Sequence, residues 1–219
     1  MTRPRTPELL GDILNTDRVW RIRELSDLKA AIQRSDAIAR RVLLRALVTI
    51  AYAHWEGYVR LAAKNYLDFV AYRSLRYAEL DPQFLKNYFI PRLANLYGSR
   101  KNFGDSCKVV EEILSGSSLH FTKVDETIVS TRSNLNCAVM SDICLVCGVD
   151  ATPYESRETF IDKLLLERRN AIAHGENAFI DEGQIDAIVD TTVTLMRTFG
   201  DQLENAAVTE SYRRAMADC

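Results

Sequence analysis

From about residue 37 to residue 73 the chain is apolar on most of a helical circumference. Val42, Leu43, Leu44, Leu47, Val48, Ile50, Ala51, Trp55, Val59, Leu61, Ala62, Tyr66 and Val70 recur there at helical spacing, with no proline among them. A helix apolar nearly all round needs neighbours on every side, so it belongs in the middle of a bundle. Its most apolar part, Val42 to Trp55, is too short to span a bilayer and contains Arg45, so no membrane segment is expected. Ser35-Asp36 just before it has the composition of an N-cap.

The rest of the pattern is also helical. Residues about 7–34 carry Leu9, Leu10, Ile13, Leu14, Trp20, Leu25, Leu28 and Ile32, with a bend expected near Asn15-Thr16-Asp17. Such residues favour caps over helix interiors. Asp81-Pro82 opens a helix of about 82–97, which Pro91 is expected to kink or split. A loop over about 97–104 and a short helix over about 105–114 follow. Ser115-Gly116-Ser117-Ser118 breaks the chain, and Leu119 to Ser133 reads as irregular, with a short extended piece among Thr122 to Val129. A helix over about 134–147 ends at Gly148, and Thr152-Pro153-Tyr154-Glu155 reads as a connection. Ser156 is expected to cap a helix reaching Ala173, with Gly175 as its terminator, before a last helix of about 182–213. The fold class is therefore all-α, with about six or seven helices and no sheet. The breaks are short and apolar faces lie on both sides of each, so residues 1–219 are expected to form one domain.

Hydrophobic residues make up 47% of the 219 and charged residues 26%, which is globular composition. The net charge of −2 gives no general attraction to polyanions, so nucleic-acid binding would need a local basic cluster. The basic N-terminus lacks a following apolar run, and five cysteines, an odd number, suit reduced thiols. Both features point to a cytoplasmic location.

The residues best suited to chemistry lie together in Glu167-Arg168-Arg169-Asn170-Ala171-Ile172-Ala173-His174-Gly175. Asn170 and His174 share a face one turn apart, whereas Arg169 and His174 would stand about 140° apart on an ideal helix. Distortion near Gly175, or assembly of two chains, is needed for both to meet one phosphate. Arginine offers a planar fork to a phosphate, and histidine titrates near neutrality.

This cluster resembles the RNase motif of the HEPN superfamily, an arginine followed by four to six residues and a histidine. Arg169-Asn170-Ala171-Ile172-Ala173-His174 has the four-residue spacing with a polar residue after the arginine. A second segment, Tyr52-Ala53-His54-Trp55-Glu56-Gly57-Tyr58-Val59, resembles the RiboL-PSP/MAE-like branch, and the likeness is strongest over about 35–200. The resemblance implies an antiparallel helical bundle that dimerises and cleaves RNA without a metal or other cofactor. On that basis Arg169 would bind the scissile phosphate, His174 would transfer a proton and Asn170 would orient one of them. Arg168 also satisfies the looser spacing and stands as a supporting residue. The resemblance further implies a toxin or defence role, with a cognate antitoxin or other defence protein as partner; a non-catalytic HEPN binding module is the alternative.

Glu56 falls among apolar neighbours on the central helix, where an unpaired carboxylate is expensive. Two arrangements remain open for it: an ion pair with Arg168 or Arg169, or a helix edge reaching solvent. His54 and Trp55 read as structural. Cys144-Leu145-Val146-Cys147 lacks a second ligand pair for zinc and reads as core packing, together with Cys137. Arg92, Arg100 and Lys101, interleaved with Tyr88, Phe89, Tyr97 and Phe103, could stack on single-stranded RNA or simply pack between helices.

Overall fold

A computed structural model describes residues 3–98, 103–125, 127–131 and 134–215. Helix α1, Pro7–Arg34, starts with Thr6 accepting the Leu9 N–H at 3.2 Å and proline in its first turn. It runs through Asn15-Thr16-Asp17 as one unbroken α-helix. The side chains that would compete for the backbone are engaged elsewhere: Arg18 donates to Asn15 at 2.6 Å and Arg21 to Asp17 at 2.6 Å. Helix α2, Ala37–Tyr72, is capped by the Asp36 carboxylate, which accepts the N–H groups of Ile38 and Ala39. The apolar residues named above from Leu43 to Val70 are buried or half-buried, while Val42 is 64% exposed near the N-terminal end.

Helix α2 packs most extensively against α1 and against the last long helix, α8, Ile185–Val208, and α1 also meets α8. Between them come α3, Pro82–Gly98, α4, Phe103–Ser115, and α5, Cys137–Cys147. Helix α3 continues through Pro91 without splitting, because a proline removes a single intrahelical bond and can be carried by flanking turns. Helix α5 is capped by Asn136, which accepts the Val139 N–H at 2.8 Å, and ends on Gly148 at φ 70°, a left-handed conformation that glycine adopts without strain. Its three cysteines, Cys137, Cys144 and Cys147, are buried as core packing.

The Thr152–Glu155 segment is a short helix, α6, rather than a plain connection. Tyr154 explains it: the ring stacks on Trp55 at 6.0 Å and meets Phe199 edge-on at 6.1 Å, joining α2, α6 and α8. Ser156 consequently closes α6 as its C-cap and does not start the next helix. That helix is π-helical over Thr159–Glu167 and α-helical over Arg168–Ala173, labelled α7. Glu182–Gln184 is a 3-10 turn, which starts α8 later than the periodicity implied.

Among the described residues there is no strand; two isolated bridges, Arg76 with His120 and Leu80 with Arg213, are the only extended pairings. The extended piece expected among Thr122 to Val129 thus falls slightly earlier, where Tyr77 donates to Leu119 and Phe121 to Leu75, each at 2.9 Å. No helix of the described residues is long and apolar enough to cross a membrane.

Candidate functional site

The motif follows a run of i→i+5 bonds. A π-helical turn accommodates one more residue than an α-turn, and such turns recur at functional sites. Here the π segment buries Ile161, Leu165 and Leu166 and packs against α2, and α7 also packs against α2. At its far end, Glu176 donates to Ala171 at 2.9 Å and Gly175 to Ile172 at 3.1 Å, with Gly175 at φ 81°. This paired closure is a Schellman motif, and it places His174 at the C-cap. Gly175 therefore terminates the helix as its position implied.

Arg169 turns inward. Its guanidinium lies over the Tyr52 ring at 4.0 Å, and Nη2 is 3.7 Å from Glu56 Oε2, with the two side chains 21% and 17% exposed. Of the two arrangements open for Glu56, the ion pair with Arg169 is the one formed. The other Glu56 oxygen accepts the Thr131 hydroxyl at 2.5 Å. Tyr52 accepts the Leu135 N–H at 2.6 Å, and burial raises its phenol above the ordinary value.

His174 turns outward. It is exposed and lines an open groove of about 1120 Å³ with Asn170 and Arg168, between the π segment, α7 and the start of α8. Arg157 and Lys163 add positive charge there, while Glu167 and Glu176 add negative charge. Arg168 donates to Gln184 Oε1 at 2.5 Å. Arg169 is not among the groove-lining residues, so the roughly opposed directions expected of Arg169 and His174 hold within one chain.

Residues 131 and 134–137 bind this region together. Besides the Thr131 and Leu135 bonds, Asn170 donates to Asn134 at 3.3 Å and the Asp162 carboxylate accepts the Cys137 N–H at 2.7 Å. On the far side of His174, Arg45 donates to the Glu176 carbonyl at 2.9 Å and Arg41 to the Asn177 carboxamide at 2.8 Å. Sequence reasoning missed Tyr52, Thr131, Asn134, Gln184, Arg41 and Arg45 as parts of this region. Only Tyr52 had a signal, because it opens the second segment that resembles the RiboL-PSP/MAE-like branch.

The other basic and aromatic group divides. Phe89 is buried and Tyr88 packs edge-on against it at 4.9 Å, whereas Phe103 is 85% exposed. Arg100 and Lys101, and the side chain of Tyr97, lie outside the described residues. Among the described residues, no group of three or more His, Cys, Asp or Glu side chains stands close enough to hold a metal ion.

The described residues form an all-helical bundle in which one helix end carries an inward arginine and an outward histidine. The chain belongs to the RiboL-PSP-HEPN family, whose model matches residues 16–205. The match reaches into α1, beyond the region where the resemblance was strongest. No curated protein and no solved structure matches the chain.

Proposed function

We propose that the protein is a metal-independent endoribonuclease that works as a homodimer, with Arg169, Asn170 and His174 as its site. The observation that carries this reading is the fixed Arg169 guanidinium, held by Glu56 and Tyr52, five positions before an exposed histidine in a HEPN-family chain. Within one chain Arg169 faces α2 and His174 faces the groove, so two copies related by a two-fold axis complete the pair.

In the reaction the ribose 2′-hydroxyl attacks the adjacent phosphorus and gives up its proton. The bond from phosphorus to the 5′-oxygen breaks, and that oxygen takes a proton. His174 serves one of these two transfers, which typically contributes about 10²–10⁴-fold. Arg169 binds the phosphate and offsets the charge that develops on it. Asn170, tied to Asn134, orients the imidazole or the phosphate. Arg168 contributes charge at the groove from its anchor on Gln184. The products are a 2′,3′-cyclic phosphate and a free 5′-hydroxyl.

One observation favours a second reading, a HEPN module that binds RNA, nucleotide or a protein without cutting. The Arg169 guanidinium already has a carboxylate and a ring as partners, and the chain carries a net charge of −2. The two readings separate when purified protein is incubated with total RNA in excess EDTA beside the His174→Ala variant. Cleavage by the wild type and not by the variant supports the nuclease; intact RNA in both supports the binding module. A toxin or defence role, with a cognate antitoxin, is a further expectation of the nuclease reading.

A further inference from the structure

A second pocket, of about 250 Å³, shares no lining residue with the groove at His174. It lies between α3, the 3-10 turn Tyr77–Glu79, residues 121–125 and Ile128. Four rings form its walls: Tyr77 is 5.4 Å from Tyr88 and 5.8 Å from Phe121, and Phe84 is 5.5 Å from Phe121. Protein interiors are close-packed, and an apolar cavity of roughly 150 Å³ already accepts one benzene ring. This pocket is therefore large enough for a flat ring system.

Two polar side chains line it. Tyr77 is only 4% exposed as a residue and burial raises its phenol above the ordinary value, but its hydroxyl is not among the shielded polar atoms left without a partner and so stays open to the pocket. Asn87 is 7% exposed; its amide nitrogen donates to the Val146 carbonyl and its oxygen accepts from Gln83, which leaves that oxygen one free lone pair. A hydroxyl on a shielded ring that opens to the pocket can both donate to and accept from a ligand that enters it.

The mouth carries charge. Arg92 lies over the Tyr88 ring at 3.5 Å, donates to the Tyr88 carbonyl at 2.7 Å and has Glu112 4.0 Å from its Nε. Lys123 makes no ion pair with the described residues. The Asp125 carboxylate is committed to the Thr127 N–H and hydroxyl, at 2.9 and 2.7 Å. Asp125 keeps its negative charge at the mouth, so Arg92 and Lys123 leave the lining residues with a net charge of +1. Aromatic walls, hydrogen-bonding groups and these two cations together favour one ligand chemistry.

We propose that this pocket binds a small molecule made of one flat aromatic or heteroaromatic ring system bearing an anionic group. The ring sits among Tyr77, Phe84 and Phe121, its polar edge meets the Tyr77 hydroxyl and the Asn87 oxygen, and the anion meets Lys123 and Arg92. Nucleoside monophosphates and aryl carboxylates share this chemistry.

Isothermal titration calorimetry on the full chain carrying His174→Ala tests it, with the four ribonucleoside monophosphates, adenosine, indole-3-carboxylate and indole as probes. The expected result is one site per chain for a monophosphate or for the carboxylate, at least about tenfold tighter than for the matching neutral compound. Which of the two binds distinguishes the source. Tyr77→Phe keeps the ring and should weaken binding about fivefold, a typical loss for one hydrogen bond. Lys123→Gln, an exposed change that cannot disturb the core, should remove much of the preference for the anion. The proposal is overturned if no anionic probe binds at about millimolar concentration, or if binding ignores both substitutions. Binding to the unsubstituted chain that disappears in His174→Ala would place the ligand at the groove and overturn it as well.

Discussion

The Arg169 guanidinium lies 4.0 Å over the ring of Tyr52, and the Tyr52 hydroxyl accepts the Leu135 N–H at 2.6 Å. One tyrosine on α2 thus supports the motif arginine with its face and the Leu135 backbone with its edge. Tyr52→Phe retains the face and removes the acceptor, which leaves a buried backbone N–H without its partner. The expected cost is about 1–3 kcal/mol in urea denaturation. Tyr52→Leu also removes the attraction between cation and ring, so it should reduce RNA cleavage more than Tyr52→Phe does at equal stability.

Glu56 and Arg169 form the pair expected to set the arginine's direction. Both side chains are mostly shielded, so removing one charge leaves the other poorly compensated. Glu56→Gln should therefore reduce cleavage by about tenfold while the bundle stays folded. A double-mutant cycle with Arg169→Gln should return a coupling of about 1 kcal/mol in stability. A coupling near zero would mean that solvent has already replaced the pair.

His54 makes stability depend on pH. Burial, with Arg21 nearby, holds its imidazole below the ordinary value, and the Glu24 and Asp17 carboxylates only partly oppose this. Glu24 Oε2 stands 2.8 Å from Nε2 without the alignment of a hydrogen bond. Because the folded state resists protonation, the unfolded chain binds more protons once pH falls below the ordinary imidazole value of 6.5. The contribution is present in full above that value and lost as pH falls through the folded-state value. Denaturation at about pH 7.5 and pH 5.5 should show a smaller loss on acidification for His54→Gln than for the wild type.

The cysteines give a chemical readout of the fold. Burial pushes the Cys144 thiol up to about 12 and raises Cys147 as well, whereas Cys107 is half-buried. A thiolate is the reactive form, so Cys144 and Cys147 should resist iodoacetamide in the native protein at neutral pH. Among the four described cysteines, mass spectrometry should find Cys107 alkylated first, with Cys144 and Cys147 modified only after unfolding.

Much of the bundle was legible in the sequence because helical periodicity reports burial directly. The central place of α2 follows from its wide apolar circumference, and the end of α7 follows from Gly175, which alone supplies the positive φ needed there. The π segment Thr159–Glu167 was not legible, since one extra residue per turn leaves the same apolar composition. Nor was the bracing by Thr131, Asn134 and Leu135 legible. That stretch has no periodicity, and its bonds reach partners 36 to 83 residues away in the chain. Val42 shows the converse error: its helical register is right, but its own side chain faces solvent near the start of α2.

The central claim is that the RNA's own 2′-hydroxyl is the nucleophile and that Arg169 and His174 serve it. The most direct test is cleavage, in EDTA, of an oligoribonucleotide carrying one 2′-deoxy substitution immediately 5′ of its mapped cut site. The account predicts a 2′,3′-cyclic phosphate product from the unmodified strand and loss of that cut in the substituted one. Cleavage that persists at the substituted position would contradict it.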